Sequence, residues 1–140
     1  MKIVKDMKCS CDKIAFGLVI VFFVFMGCSS KPDADILAGE TAKQYYDYLL
    51  EGKYEEWVDG HYQPERIPEG YRAQLVTNAR MFMRQQQREH GGIREVRVVN
   101  AKADTASHRA DVFMVFIYGD STNEETLVPM VEDKGLWYLR

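Results

Sequence analysis

The sequence predicts an α+β domain, with helices first and an antiparallel meander of four strands after them. Two observations carry this expectation. Up to residue 90 the apolar residues recur with helical spacing, and from residue 94 they recur with a period near 2. Three short turn signals, ADTA, GDST and EDKG, separate the later apolar runs. Connections that short join neighbouring antiparallel strands. Helices and strands segregated along the chain put the helices on one side of the sheet.

The chain opens with MKIVKDMKCSCDK, in which four lysines outweigh two aspartates. The uncharged run IAFGLVIVFFVFMG follows, residues 14–27. A spanning helix needs roughly 20 apolar residues. A shorter run behind a basic start reads as an export signal, with a retained signal anchor as the alternative. Gly27-Cys28 closes the run, and the chain turns polar at Ser29. This resembles the lipobox of bacterial lipoproteins, with Phe25 and Met26 in place of the usual Leu and Ala or Ser. The resemblance implies that residues 1–27 are removed and that Cys28 carries acyl chains as the first residue. Several chains on one residue anchor stably, because each buried CH₂ contributes about 0.8 kcal/mol. The expected address is the bacterial cell envelope, at the outer membrane, with the domain facing the periplasm or the cell surface. Residues 28–40 then read as lipidated Cys and flexible tether, and 41–140 as the domain. Asp33 and Asp35 read as part of that solvated linker.

The first helix is expected over Thr41–Gly52. Ala42, Tyr45, Tyr46, Leu49 and Leu50 make its apolar stripe, and Gly52 suits a C-cap. KYEEWVDG gives a second, short helix with Tyr54, Trp57 and Val58 on one side. After a loop, Pro68-Glu69 opens a third helix, since Pro fits the first turn and Glu the positive dipole end. It is expected to run to about Glu89, to bury Tyr71, Leu75, Ala79, Phe82 and Met83, and to stop at His90-Gly91-Gly92. Strands are expected over 94–104, 107–118, 123–132 and 136–140. In DVFMVFIY both parities are apolar, so both sheet faces should be covered, the second by another subunit, a partner or the tether. Pro129 lacks a donor, so an edge or a bulge is expected there.

Composition narrows the function. Without the signal, fourteen basic and nineteen acidic residues remain, a net charge of −5. No basic footprint for nucleic acid is present. Cys9 and Cys11 leave with the signal, so Cys28 is the sole thiol and no disulfide framework follows. No three ligands have metal spacing, and neither a Gly-rich phosphate loop nor a nucleophile elbow occurs, so neither metal nor cofactor is expected.

The segments YYDYLLEGKYEEW, ADTASHRADVFMVFIYGDST and VEDKGLWYL, in that order, resemble the nuclear-transport-factor-two-like superfamily over residues 36–140. The nearest branch is small bacterial lipoprotein domains of unknown function. The resemblance implies a cone: a curved sheet wrapped around three helices with a pocket between them. It also implies pairing of two copies through their sheets, and, in enzymatic members, isomerase or dehydratase chemistry by an Asp or His base.

Asp59 and His61 in DGHY are the acid/base candidates, the plain alternative being a solvated loop. Tyr45, Tyr46, Tyr48, Trp57, Tyr62, Phe82, Phe116 and Trp137 are the aromatics that could line an apolar pocket, against an ordinary core. Tyr48, Trp57, Tyr62, Phe116 and Trp137 are the candidates for ligand or partner contact. Three functions are open: a non-catalytic module binding a small apolar ligand or an envelope protein, an isomerase or dehydratase, and a homodimeric spacer.

Overall fold

The computed structural model describes residues 33–140. The expected export signal and Cys28, the expected site of acylation, lie outside the described residues. Lys31–Arg140 forms a compact unit. Among the described residues its core is drawn from its own helices and sheet, and a compact unit with its own hydrophobic core can in principle fold alone. It holds α1 (Ala34–Leu50), α2 (Tyr54–Asp59), α3 (Glu69–His90), β1 (Ile93–Asp104), β2 (Arg109–Tyr118), β3 (Asn123–Asp133) and β4 (Leu136–Leu139). The strands form one antiparallel sheet in the order β1-β2-β3-β4. The expected architecture of helices on a meander is the one observed. Among the described residues no helix is long and apolar enough to cross a membrane.

The first helix starts earlier than its periodicity suggested. Residues 34–40, read as tether, are its first two turns. Asp33 is the N-cap: its Oδ1 accepts the Asp35 amide at 3.2 Å, and its carbonyl accepts Leu37 N at 2.9 Å. Asp35 in turn accepts the amide of Ala103 at 2.6 Å, pinning the helix start to the end of β1. Both aspartates therefore have local work as acceptors of otherwise orphaned amides. The small residues Ala38, Gly39 and Ala42 let α1 lie close to the sheet; a Cβ on Gly39 would sit 3.4 Å from Val98 and Ala101.

Along β2 one parity is buried, namely Ala110, Val112, Met114, Phe116 and Tyr118. It packs with Val96, Val128, Met130, Trp137 and Leu139 under α1. Burying side chains of this size contributes roughly 1.5–3 kcal/mol each. The other parity is not covered by the described residues. Phe113 is 45% exposed, and its β3 partner Leu127 is 51% exposed. Register shifts in β1 at Ile93/Glu95 and Val98/Asn100 are bulges, which bend a strand and increase its twist. They curl the sheet toward the helices.

Pro129 departs from expectation. It lies in an interior strand whose register with β2 is unbroken. Its carbonyl accepts Arg140 N at 3.0 Å. Its nitrogen points to that same side, where the neighbouring β4 runs out, so no ladder bond is lost.

Candidate functional site

α3 closes with a left-handed Gly91 at φ 72°, as the glycine pair suggested. Its apolar stripe, however, is only half covered. Val76 and Ala79 are buried, whereas Tyr71 is 56% and Phe82 39% exposed. Tyr71 was expected in the core, and Phe82 either there or along an apolar pocket; both overhang a cleft, because no further element among the described residues covers that side of α3.

The opposite wall is made by α1, α2 and the loop after α2. Tyr46 on α1 packs its ring against Trp57 of α2 (4.8 Å) and Phe116 of β2 (5.2 Å). The loop is stitched to the sheet edge. Tyr62 N donates to Leu139 O at 2.7 Å, and Leu139 N donates to Gly60 O at 2.8 Å. This short parallel bridge carries His61 and Tyr62 to the cleft rim. Gly60 permits the close approach, since a Cβ there would run into the Tyr45 ring. The result is a cavity of about 760 Å³, within the size range of small-molecule sites. Leu49, Val58, Ile67 and Leu75 complete its apolar lining.

The cleft is sparingly polar. His61 Nδ1 lies 2.9 Å from the carbonyl of Trp57. A carbonyl only accepts, so Nδ1 carries the proton and Nε2 is left as an acceptor. Gln63 donates to Val58 O at 3.2 Å. The Tyr46 hydroxyl, by contrast, bonds to no other described residue. Burial pushes its pKa up to about 12, so it remains a donor at every physiological pH. Among the described residues Glu65 is the one carboxylate of the lining, and no Lys or Arg belongs to it.

The sequence-predicted residues separate into two groups. Trp57, Tyr62, Phe116 and His61 meet in the cleft. Asp59 does not join His61. Its carboxylate turns outward and takes two bonds from Arg72, at 2.9 and 2.8 Å. Tyr48 is also elsewhere, with its hydroxyl accepting from Gln44 at 2.8 Å and Lys53 lying 5.5 Å from its ring. Trp137 is buried in the core, on the far side of α1 against Leu37 and Tyr45. Sequence reading missed Tyr71, Leu75 and Ile67 as cleft residues. The available signal was the apolar stripe of α3, which marks residues that tend to leave water and not what covers them.

A second polar cluster lies at the other end of α3. His90 Nδ1 is 3.1 Å from Asp120, and its ring lies 4.7 Å from Tyr118, whose hydroxyl donates to Glu124 at 2.5 Å. Burial and the Glu124 carboxylate push Tyr118 up to about 12. Among the described residues no group of three or more His, Cys, Asp or Glu is arranged to hold a metal ion.

No family profile matches the chain, and no curated protein matches it. Among solved structures, it is similar to the crystal structure of a candidate NTF2-like transpeptidase from Campylobacter jejuni. The two share 10% identity with a TM-score of 0.58, over 71% of this chain and 94% of that one. At such low identity the likeness concerns the fold: N-terminal helices on a curled four-stranded antiparallel sheet, an NTF2-like half-barrel.

Proposed function

We propose that the protein is a lipid-anchored envelope protein whose domain binds, without catalysis, a small apolar ligand or an apolar segment of an envelope protein. The open aromatic cleft of about 760 Å³ carries this reading. Apolar walls in water are unfavourable by roughly 25 cal/mol per Å², and an apolar occupant relieves that cost. The test is a titration of residues 31–140 with N-phenylnaphthylamine, whose emission rises in apolar sites. Saturable binding that is lost when Trp57 and Tyr62 are both changed to Ala supports the reading. Emission that never saturates removes it.

The anchor is the second half of the proposal. It is supported by the uncharged run ending in Gly27-Cys28 and the polar turn at Ser29. Cells expressing the whole chain should incorporate an alkyne-tagged palmitate, and Cys28→Ser should abolish the label. Mass spectrometry showing an unacylated chain that keeps residues 1–27 would end this half.

The name of the Campylobacter protein raises acyl transfer as a rival. That chemistry needs an activated nucleophile with a base beside it. Among the described residues there is no cysteine. The serines are Ser107 and Ser121, both in hairpin turns away from the cleft. An isomerase or dehydratase centred on Asp59 and His61 lacks its pair, because Arg72 engages the carboxylate. Both observations favour binding over catalysis.

A homodimer through the outer sheet face is a compatible second reading. It is favoured by the opposed Phe113 and Leu127, with the bulged Val99 beside them, on a face that the described chain leaves open. Light scattering of residues 31–140 checks it, and a monomer at high concentration would remove it.

A further inference from the structure

The cleft has a shape and a polarity that narrow what it takes. Tyr71 and Phe82 both line it, eleven residues apart on α3. At about 1.5 Å of rise per residue that is roughly 16 Å of wall, so the occupant is elongated. Its walls are apolar over most of that length.

Two of its lining residues, Tyr46 and His61, carry a polar atom without a partner among the described residues. The rings of Tyr46 and His61 each pack edge-on against Trp57 with centroids 4.8 Å away. The two rings are therefore at most twice that distance apart. Tyr46 offers an O–H donor, and His61 Nε2 offers a lone pair, because Nδ1 is committed to Trp57 O. Neither atom has a partner among the described residues. A donor and an acceptor on two residues that line one cleft suit a hydroxyl, which can accept from Tyr46 and donate to His61. An anionic head is disfavoured: among the described residues a carboxylate would meet Glu65 and no lining cation, and it could not donate to His61. A quaternary ammonium could hydrogen-bond to neither group, and only Glu65 and the ring faces would hold it.

We infer that the cleft recognises an uncharged amphiphile: an extended apolar body ending in a hydroxyl that bridges Tyr46 and His61. The inference rests on the binding function proposed above and adds the ligand's chemical class.

The test is displacement of bound N-phenylnaphthylamine from residues 31–140 by decanol, decanoate and decyltrimethylammonium, which share a chain and differ in the head. Decanol is expected to displace the probe at concentrations at least about tenfold lower than either charged analogue. Tyr46→Phe keeps the ring and removes the donor. His61→Asn keeps a donor toward Trp57 O and removes Nε2. Each should reduce the affinity for decanol, relative to that for the probe, by about fivefold, the range of one neutral hydrogen bond. Far-ultraviolet dichroism identifies any variant that fails to fold, and the other variant then decides. Equal displacement by all three heads, stronger displacement by a charged one, or an unchanged ratio in the folded variants overturns the inference while the binding function stands. Absence of probe binding to the unaltered protein overturns both.

Discussion

The guanidinium of Arg72 clasps both carboxylate oxygens of Asp59, with Nε 2.9 Å from Oδ1 and Nη2 2.8 Å from Oδ2. This pair joins the end of α2 to the start of α3, the two helices that border the cleft. The bond to Asp59 holds the Arg72 guanidinium above its ordinary pKa, so it stays charged throughout. Arg72→Met should loosen the first turns of α3. Amide exchange over residues 72–79 is expected to quicken by no more than about fivefold, because a surface pair is worth little, and added salt should have the same effect on the unaltered protein. Unchanged exchange would show that packing alone holds α3 there.

Gly60 predicts a sharper loss. Its φ of −72° suits any residue, so the constraint is space rather than backbone conformation. An added Cβ meets the Tyr45 ring, whose hydroxyl donates to Trp137 O at 3.1 Å. Gly60→Ala should therefore destabilise the domain by about 1–3 kcal/mol. Urea unfolding monitored by tryptophan emission measures it.

Exposure separates cleft from core in a paired experiment. Met114 is 1% exposed beneath α1, so Met114→Ala should cost about 2–5 kcal/mol through the cavity it leaves. Phe82 is half open on the cleft wall. Phe82→Ser should leave stability within about 1 kcal/mol, while weakening N-phenylnaphthylamine binding about tenfold. A Phe82→Ser variant that melts like Met114→Ala would mean that the cleft closes in solution.

Acid should act through Asp120. The Thr122 hydroxyl and amide, together with His90, hold its pKa down to about 2, against an ordinary 3.8. A depressed carboxylate stabilises the fold above the ordinary value, and that contribution is lost as pH falls from near 4 through 2. The melting temperature should drop across that window, and Asp120→Asn should drop less. Equal slopes in the two proteins would assign the acid sensitivity to other groups.

The outer sheet face predicts an oligomeric state. If copies pair there, Phe113→Glu should weaken self-association by at least about tenfold, since it buries a charge against Leu127 of the same patch. Sedimentation velocity of the variant against the parent decides.

Much of the fold could be read directly, because its signals are local. A period of 3.6 giving way to 2, Gly52 and Gly91 closing their helices, and short turns between strands depend on residues a few positions apart. The first turns of α1 were hidden because their fixing contact is distant: Asp35 is an ordinary linker residue until Ala103 donates to it across the fold.

By itself, then, the chain determined the order and type of its elements, the antiparallel meander and the aromatic supply. Tertiary structure decided which aromatics became core and which became cleft. Trp137 and Tyr71 are both apolar in a period that suits their element, yet one is buried and the other open. Tertiary structure also drew Asp59 to Arg72, left His61 with Trp57, and set the Tyr46 ring against Trp57 with its hydroxyl bonded to no other described residue. Periodicity reports which residues prefer to leave water. Whether another element arrives to cover them depends on chain far away, and that is settled only when the helices close on the sheet.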